Sequence, residues 1–194
     1  MIVRMAGSSD GAEVAAVYRP WVEGTAISFE LEPPSAEEMS RRIASVLAFA
    51  PWLVCEIGGR VRGYAYASRH RERAAYQWSV DAGIYVHEDE RRRGIGRLLY
   101  GSLFALLRLQ GFVAAHAGIT LPNAASVGLH EALGFRRIGV YPAVGYKLGA
   151  WHDVGWWQLR LVETAGQPSP PLSLAAARAL PGWDEALARG LRDG

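Results

Sequence analysis

The 194 residues, 50% of them hydrophobic and 21% charged, describe a globular chain of single-domain size that can bury a core without disulfide or metal staples. A formal net charge of +2 is too small a bias to argue for a nucleic-acid partner; Lys147 is the sole lysine among 21 basic residues, so nearly every cation is a planar guanidinium suited to phosphate. Cys55 is the one cysteine, which excludes an internal disulfide and a cysteine-cluster metal site.

IVRM reads as an opening strand. The N-terminus carries no signal-peptide pattern, because Arg4, Asp10 and Glu13 interrupt any apolar run. In SSDGAEVAAVYRPWV, Asp10 and Glu13 are spaced like a helix start. GTAISFELEPPS reads as a loop, since its proline pair stops a helix. Ser35 and Glu38 form the clearest capping box, and Met39, Ile43, Val46 and Leu47 then recur at helical spacing. PWLVCEI and VRGYAYASRH around a Gly-Gly turn predict a hairpin with Cys55 as a buried thiol.

YQWSVDAGIYVHED is a further strand, and a helix over 94–110 follows, with Ile95, Leu98, Leu99, Leu103 and Leu106 on one face and Gly111 at its end. LLYGSLFALL, residues 98–107, is the longest apolar run, and it falls short of the roughly 20 residues of a membrane span. A cytoplasmic protein without a membrane partner is therefore expected. FVAAHAGIT is a strand, PNAASVGLHEALG a helix closed by Gly134, and FRRIGVYPAVGYK and WHDVGWWQLRLV are the last strands. The order β-α-α-β-β-β-α-β-α-β-β predicts an α/β (α+β) fold: a mixed sheet flanked by helices over residues 1–163. Residues 164–194 read as a Pro/Ser linker and a tail with one or two short helices.

The chemistry begins at IYVHEDERRRGIG. A strand ends near Val86, and a loop turns into a helix near Gly94. The first amides of a helix lack intrahelical partners and sit at the positive end of its dipole, so strand, loop and helix start form an anion pocket. Glycines at 94 and 96 let a phosphate approach the backbone, and rim arginines add charge-assisted bonds. The dinucleotide fingerprint is excluded by Leu99 where a third glycine is needed, and a P-loop by the missing Gly-Lys-Ser/Thr.

The spacing Arg91-x-x-Gly94-x-Gly96 resembles the Q/R-x-x-G-x-G/A signature of the GNAT acetyltransferase superfamily, whose loop holds the pyrophosphate of acetyl-CoA. NAASVGLHEALGF, residues 123–135, is similar to that family's second element. GYKLGAWHDVGWWQ and ISFELEPPSAEE resemble the C-terminal signature and the substrate loop of the phosphinothricin / methionine sulfoximine acetyltransferase subfamily. The resemblance covers roughly residues 1–162 and leaves out the tail. It implies a six- to seven-stranded mixed sheet whose two central parallel strands splay apart. It also implies acetyl-CoA as co-substrate, no metal, a homodimer, and transfer of an acetyl group to the α-amino group of a small amino-acid analogue. By that resemblance Tyr85, Val86, Arg91, Arg92, Arg93, Gly94, Ile95, Gly96 and Arg97 are candidate cofactor contacts. Asn123 and Ser126 join them from the next helix, and Phe29, Glu30, Tyr76 and Lys147 are candidate acceptor contacts.

Two side chains are candidate catalytic groups. The subfamily carries a carboxylate in a W-x-V-E context; here the context is WSVD and the carboxylate is Asp81, shorter by one methylene. With an ordinary pKa near 3.9 it needs a raised value, a bridging water or a relay to work as a base. His130 shares a helix face with Asn123 and Ser126 and stands where many family members carry the tyrosine that protonates the departing thiolate. The backbone amide of Val86 is the expected oxyanion donor. Trp157 reads as a packed strand residue, and His152 and Asp153 as framework. His87, His116 and His152 have no zinc-ligand spacing. Three alternatives remain: another small amine or a protein N-terminus as acceptor, a non-catalytic acyl-CoA-binding module, and nucleic-acid binding through Arg91–Arg93. Against the last, Glu88, Asp89 and Glu90 stand beside those arginines and repel a phosphate backbone.

Overall fold

The computed structural model describes residues 1–163 and 166–192; Thr164 and Ala165 of the expected linker and Asp193 and Gly194 of the tail lie outside the described residues. Seven strands form one sheet: β1 (Ile2–Met5), β2 (Trp52–Ile57), β3 (Arg60–Arg69), β4 (Ser79–Val86), β5 (Ala114–Leu121), β6 (Arg136–Lys147) and β7 (Ala150–Arg160). Their order is β1-β2-β3-β4-β5-β7-β6. Only the β4–β5 pair is parallel. Helices α1 (Gly11–Gly24) and α2 (Ala36–Leu47) cover one face, and α3 (Ile95–Gln110) and α4 (Ala124–Ala132) the other. The mixed sheet and its element order are those the sequence predicts.

Local chemistry sets most boundaries. Gly58 and Gly59, at φ +60° and +75°, make the two-residue β2–β3 turn, a conformation that side-chain-bearing residues resist. Ser35 caps α2 by accepting from the Glu38 amide at 3.2 Å. The box is half made, because the Glu38 carboxylate turns to Arg41 and Arg42 instead of the cap backbone. Gly111 (φ +90°) ends α3 and Gly134 (φ +91°) follows α4. The start of α1 differs from the expected cap. Asp10 accepts two bonds from the Arg4 guanidinium, both 2.8 Å, and one from the Gly7 amide, while Glu13 reaches across to the Val61 amide. Long-range partners with a cationic or buried donor outcompete a single capping bond.

Each face of the sheet has its own core. Leu99, Leu103, Leu106, Phe112 and Trp157 centre one beneath α3; Val14, Val22, Ile43, Trp52 and Tyr64 centre the other beneath α1 and α2. Cys55 is buried, and desolvation pushes its thiol up to about 11. The tail carries three short helices, α5 (Leu174–Arg178), α6 (Trp183–Leu187) and α7 (Arg189–Arg192), and they join the α3 core. Leu174, Ala177 and Trp183 are buried, Ser102 Oγ donates to Leu187 O, and Gly190 lies so close to Leu98 O that no Cβ would fit. Among the described residues, no helix is long and apolar enough to cross a membrane.

The site follows from the one parallel pairing. The β4–β5 ladder consists of Ser79–Ala114, Val80–Ala115 and Asp81–His116, and then the strands part. β4 continues five residues further, paired only with β3. His87 N donates to Arg62 O on the β3 side. Alternation along the strand therefore turns the amides of Ile84 and Val86 toward the gap.

Candidate active site

A cleft of 1110 Å³ fills that gap. It passes through the sheet: Trp21, Ile27 and Tyr85 line it from the α1 face, and Ile84, Val86 and Leu129 from the α3 face. All the residues expected around the cofactor line it except Arg93. Tyr85 and Val86 come from β4; Arg91, Arg92, Gly94, Ile95, Gly96 and Arg97 from the loop and first turn of α3; Asn123 and Ser126 from the start of α4. Asn123 also caps α4, its Oδ1 accepting from the Ser126 amide at 3.1 Å.

The loop is shaped by its own conformation. Arg92 and Gly94 both take left-handed φ, +59° and +80°, a curl in which successive amides converge on an anion. A non-glycine residue held there costs about 1–2 kcal/mol, so the loop stores strain at its mouth. The two glycines act differently from a common clearance for phosphate. A Cβ on Gly94 would meet nothing within 4 Å, so its φ requires it; a Cβ on Gly96 would stand 2.9 Å from Leu129 Cδ2, so the α3–α4 contact requires it. Arg91 lies over the Trp21 ring at 4.5 Å, which fixes one cation at the rim. Arg93 is a correction: its guanidinium is held at 2.5 Å by Glu90, a buried carboxylate that also meets Arg62.

Beside the cleft, on the α1–α2 face, a second cavity of 520 Å³ is lined by Tyr18, Glu30, Arg42, Tyr66 and Ser68 among others. Of the expected acceptor contacts, only Glu30 lines it. Arg42 holds its two oxygens at 2.7 and 3.1 Å, and the Tyr18 hydroxyl donates at 3.0 Å. Lys147 is a correction. Its buried Nζ donates to Val22 O and Ser28 O, so it latches the 25–35 loop, with burial lowering its pKa. Phe29 lays its ring where a Cβ on Gly145 would be, a second loop anchor. His152 donates to Lys147 O and Asp153 accepts from the Ala143 amide, framework roles for the β6–β7 irregularity. Trp157 is buried.

Neither candidate catalytic group lines the cleft, and the two differ in their partners. Asp81 ends the β4–β5 ladder at the root of the split, opposite Ser68 of the second cavity. Burial raises its pKa, and the His70 hydrogen bond opposes that shift. His70 Nδ1 lies 2.6 Å from Asp81 Oδ1, and its ring stacks on His116 at 4.3 Å. Tyr76 stands at the edge of the same ring, 5.9 Å away. His130 is packed. It is buried and does not line the cleft; Nδ1 donates to Ser126 O at 2.8 Å, which leaves Nε2 to accept from the Tyr100 hydroxyl at 3.1 Å. Burial lowers its pKa, and both nitrogens have partners.

Sequence reasoning missed His70, Trp21 and Arg42. The sequence offered for His70 only its place as the last residue of a predicted strand, and the hairpin register that puts Ser68 opposite Asp81 is a tertiary fact.

Comparison with known proteins agrees with this geometry. The acetyltransferase (GNAT) domain family matches residues 3–156. The phosphinothricin N-acetyltransferase of Streptomyces viridochromogenes is 40% identical over 168 residues, covering 87% of this chain and 91% of the relative. The L-methionine sulfoximine/L-methionine sulfone acetyltransferase of Pseudomonas paraeruginosa is 35% identical over 168 residues, covering 86% and 98%. A phosphinothricin acetyltransferase from Sinorhizobium meliloti, crystallised in complex with AcCoA, matches with a TM-score of 0.82 at 35% identity, covering 87% of this chain and 92% of that one.

Proposed function

The chain belongs to the GNAT acetyltransferase family, and from that premise we propose that it moves the acetyl group of acetyl-CoA to the α-amino group of a small amino-acid analogue, of the phosphinothricin or methionine sulfoximine type. It is an acetyl-CoA-dependent N-acetyltransferase. The observation that carries the reading is the cleft in the β4–β5 split, walled by the Arg91–Arg97 loop, with Asp81 on the last rung of the ladder before the strands part. The residues fit acetyl-CoA: the curled cationic loop suits its pyrophosphate, and the apolar walls of Ile84, Val86 and Leu129 suit its pantetheine arm. The thioester then arrives from one side and the acceptor from the other.

The chemistry needs an unprotonated amine, a polarised carbonyl and a leaving thiolate. The Ile84 and Val86 amides, unpaired by β5, are the donors available for the carbonyl oxygen. The carboxylate-bearing end of the split supplies the deprotonation. The 25–35 loop, latched by Lys147, holds Glu30 and Ile27 beside the acceptor side.

We infer a homodimer as the working form, supported by the exposed Ile138, Val144, Tyr146 and Trp151 on β6–β7, and a cytoplasmic location beside the acetyl-CoA pool. Light scattering checks the former. Herbicide resistance of an expressing cell follows if phosphinothricin is acetylated. The direct test is acetyl-CoA turnover against phosphinothricin, methionine sulfoximine, methionine sulfone, ordinary amino acids and polyamines. Turnover with the sulfoximine-type analogues is expected. Acetyl-CoA binding with no turnover of any amino-acid analogue would leave a binding module, and polyamine turnover alone would move the acceptor class.

A further inference from the structure

His70, Asp81 and His116 bring two ring nitrogens and a carboxylate oxygen within 4.8 Å of one another, at the point where β4 and β5 part. The three side chains are not equivalent. His116 is buried; its Nε2 meets Gln158 at 3.0 Å, and it supports the stack from below. Asp81 has one oxygen committed to His70 Nδ1. His70 has Nδ1 committed, while its Nε2 has no hydrogen-bond partner among the described residues and is not among the sealed, unpartnered atoms. Nε2 is thus uncommitted, on a side chain 14% exposed beside an aspartate side chain 28% exposed.

We propose that His70 Nε2 is the general base of the transfer and that Asp81 is its positioning residue, a unit that rests on the acetyltransferase reading above. Four observations carry it. The 2.6 Å bond selects the tautomer with hydrogen on Nδ1 and a lone pair on Nε2. The stack on His116 and the edge contacts with Tyr76 and Trp156 fix the ring plane. Asp81 shares a strand face by alternation with Tyr85, which lines the cleft four residues further along β4, so the dyad lies on the side of the sheet from which Tyr85 reaches the cleft. Finally, an imidazole extends the reach of a carboxylate that is one methylene short and presents a nitrogen lone pair to an ammonium.

The step balances. The acceptor ammonium gives one proton to Nε2, and the imidazolium is held by Asp81. The amine lone pair forms the N–C bond to the thioester carbonyl carbon, and the C–S bond breaks with its electron pair leaving on CoA. The second nitrogen-bound proton goes to that thiolate, and His70 releases the first proton to solvent. The titratable and charged groups facing the ring are Asp81 from β4, His116 from β5, Tyr76 from the turn before β4, and the adjoining Arg71.

The test uses the full chain and the acceptor that wild type turns over. His70→Gln removes the imidazole base and keeps a polar side chain of similar length. Its kcat should fall by about 100-fold or more, with the acetyl-CoA KM within about threefold. The acid limb of the kcat/KM profile should disappear, and added imidazole should restore part of the turnover of His70→Ala. Melting curves and acetyl-CoA titration check that both variants fold. A His70→Gln enzyme that keeps its kcat and its acid limb would make Asp81 the direct base and overturn the assignment. So would activity lost to a chelator and restored by zinc. Wild type that binds acetyl-CoA and acetylates no amino-acid acceptor would instead fail the functional reading itself, and the base assignment with it.

Discussion

Two histidines, one on each face of the sheet, divide the molecule into a packed region and a working one. His130, in α4, stands at family spacing beside two cleft residues, yet both of its nitrogens are spent on Ser126 O and the Tyr100 hydroxyl. His70, just past β3, belongs to no motif, yet it keeps one nitrogen open and the other on a carboxylate. Spacing along a helix says which side chains share a face. It does not say whether that face meets a cleft or a core. The difference lies in partners: a neutral, fully bonded imidazole stiffens its surroundings, and a half-bonded one next to a charge has a proton to exchange.

The largest effect that would sharpen this contrast is on turnover. Asp81→Asn should lower kcat by about 100-fold or more, because an amide neither holds the tautomer nor supports an imidazolium. A kcat within a few-fold of wild type would return Asp81 to an ordinary strand residue. Next comes His130→Ala, which leaves a cavity and an unpaired Tyr100 hydroxyl inside the α3 core. It should cost about 2–3 kcal/mol of stability in chemical denaturation, with the change in the unfolding midpoint rather than in kcat. A large kcat loss at unchanged stability would erase the distinction between the two histidines.

A smaller effect is expected at the loop. Gly96→Val drives a side chain into Leu129 and should weaken acetyl-CoA binding about tenfold by calorimetry, with the acceptor KM little changed. The smallest concerns pH. Burial raises Asp81 above its unfolded value, so the native state holds that proton more tightly and stability falls as pH rises through the window between the two. The melting temperature of Asp81→Asn relative to wild type should therefore rise with pH across that window. Asp10 runs the other way. The Arg4 hydrogen bonds hold its carboxyl below the usual range, so its contribution is present near neutrality and lost on acidification.

Much of the fold was legible because its signals are local. The apolar run WLVCEI, the Gly58-Gly59 turn, the Ser35 cap and the glycines after α3 and α4 each act within a few residues, and each appears where expected. Asp10 misled because its partner, Arg4, lies on a strand that β2 holds in place. Lys147 misled because a cation near a substrate motif looks like a ligand contact. Its two carbonyl partners, Val22 and Ser28, are more than a hundred residues away in sequence. The tail's helices could be read from composition, but not their docking, which depends on Gly190 meeting Leu98.

The sequence alone determined the element order, the cationic glycine loop Arg91-x-x-Gly94-x-Gly96 ahead of a helix and the position of a carboxylate at Asp81. These are properties of spacing and residue type along one strand or helix. Only the tertiary structure decided which histidine can move a proton, because that depends on what lies across a strand register. Ser68 opposite Asp81 brings His70 within 2.6 Å of the carboxylate, and the end of the ladder at Asp81–His116 opens the sheet beside them.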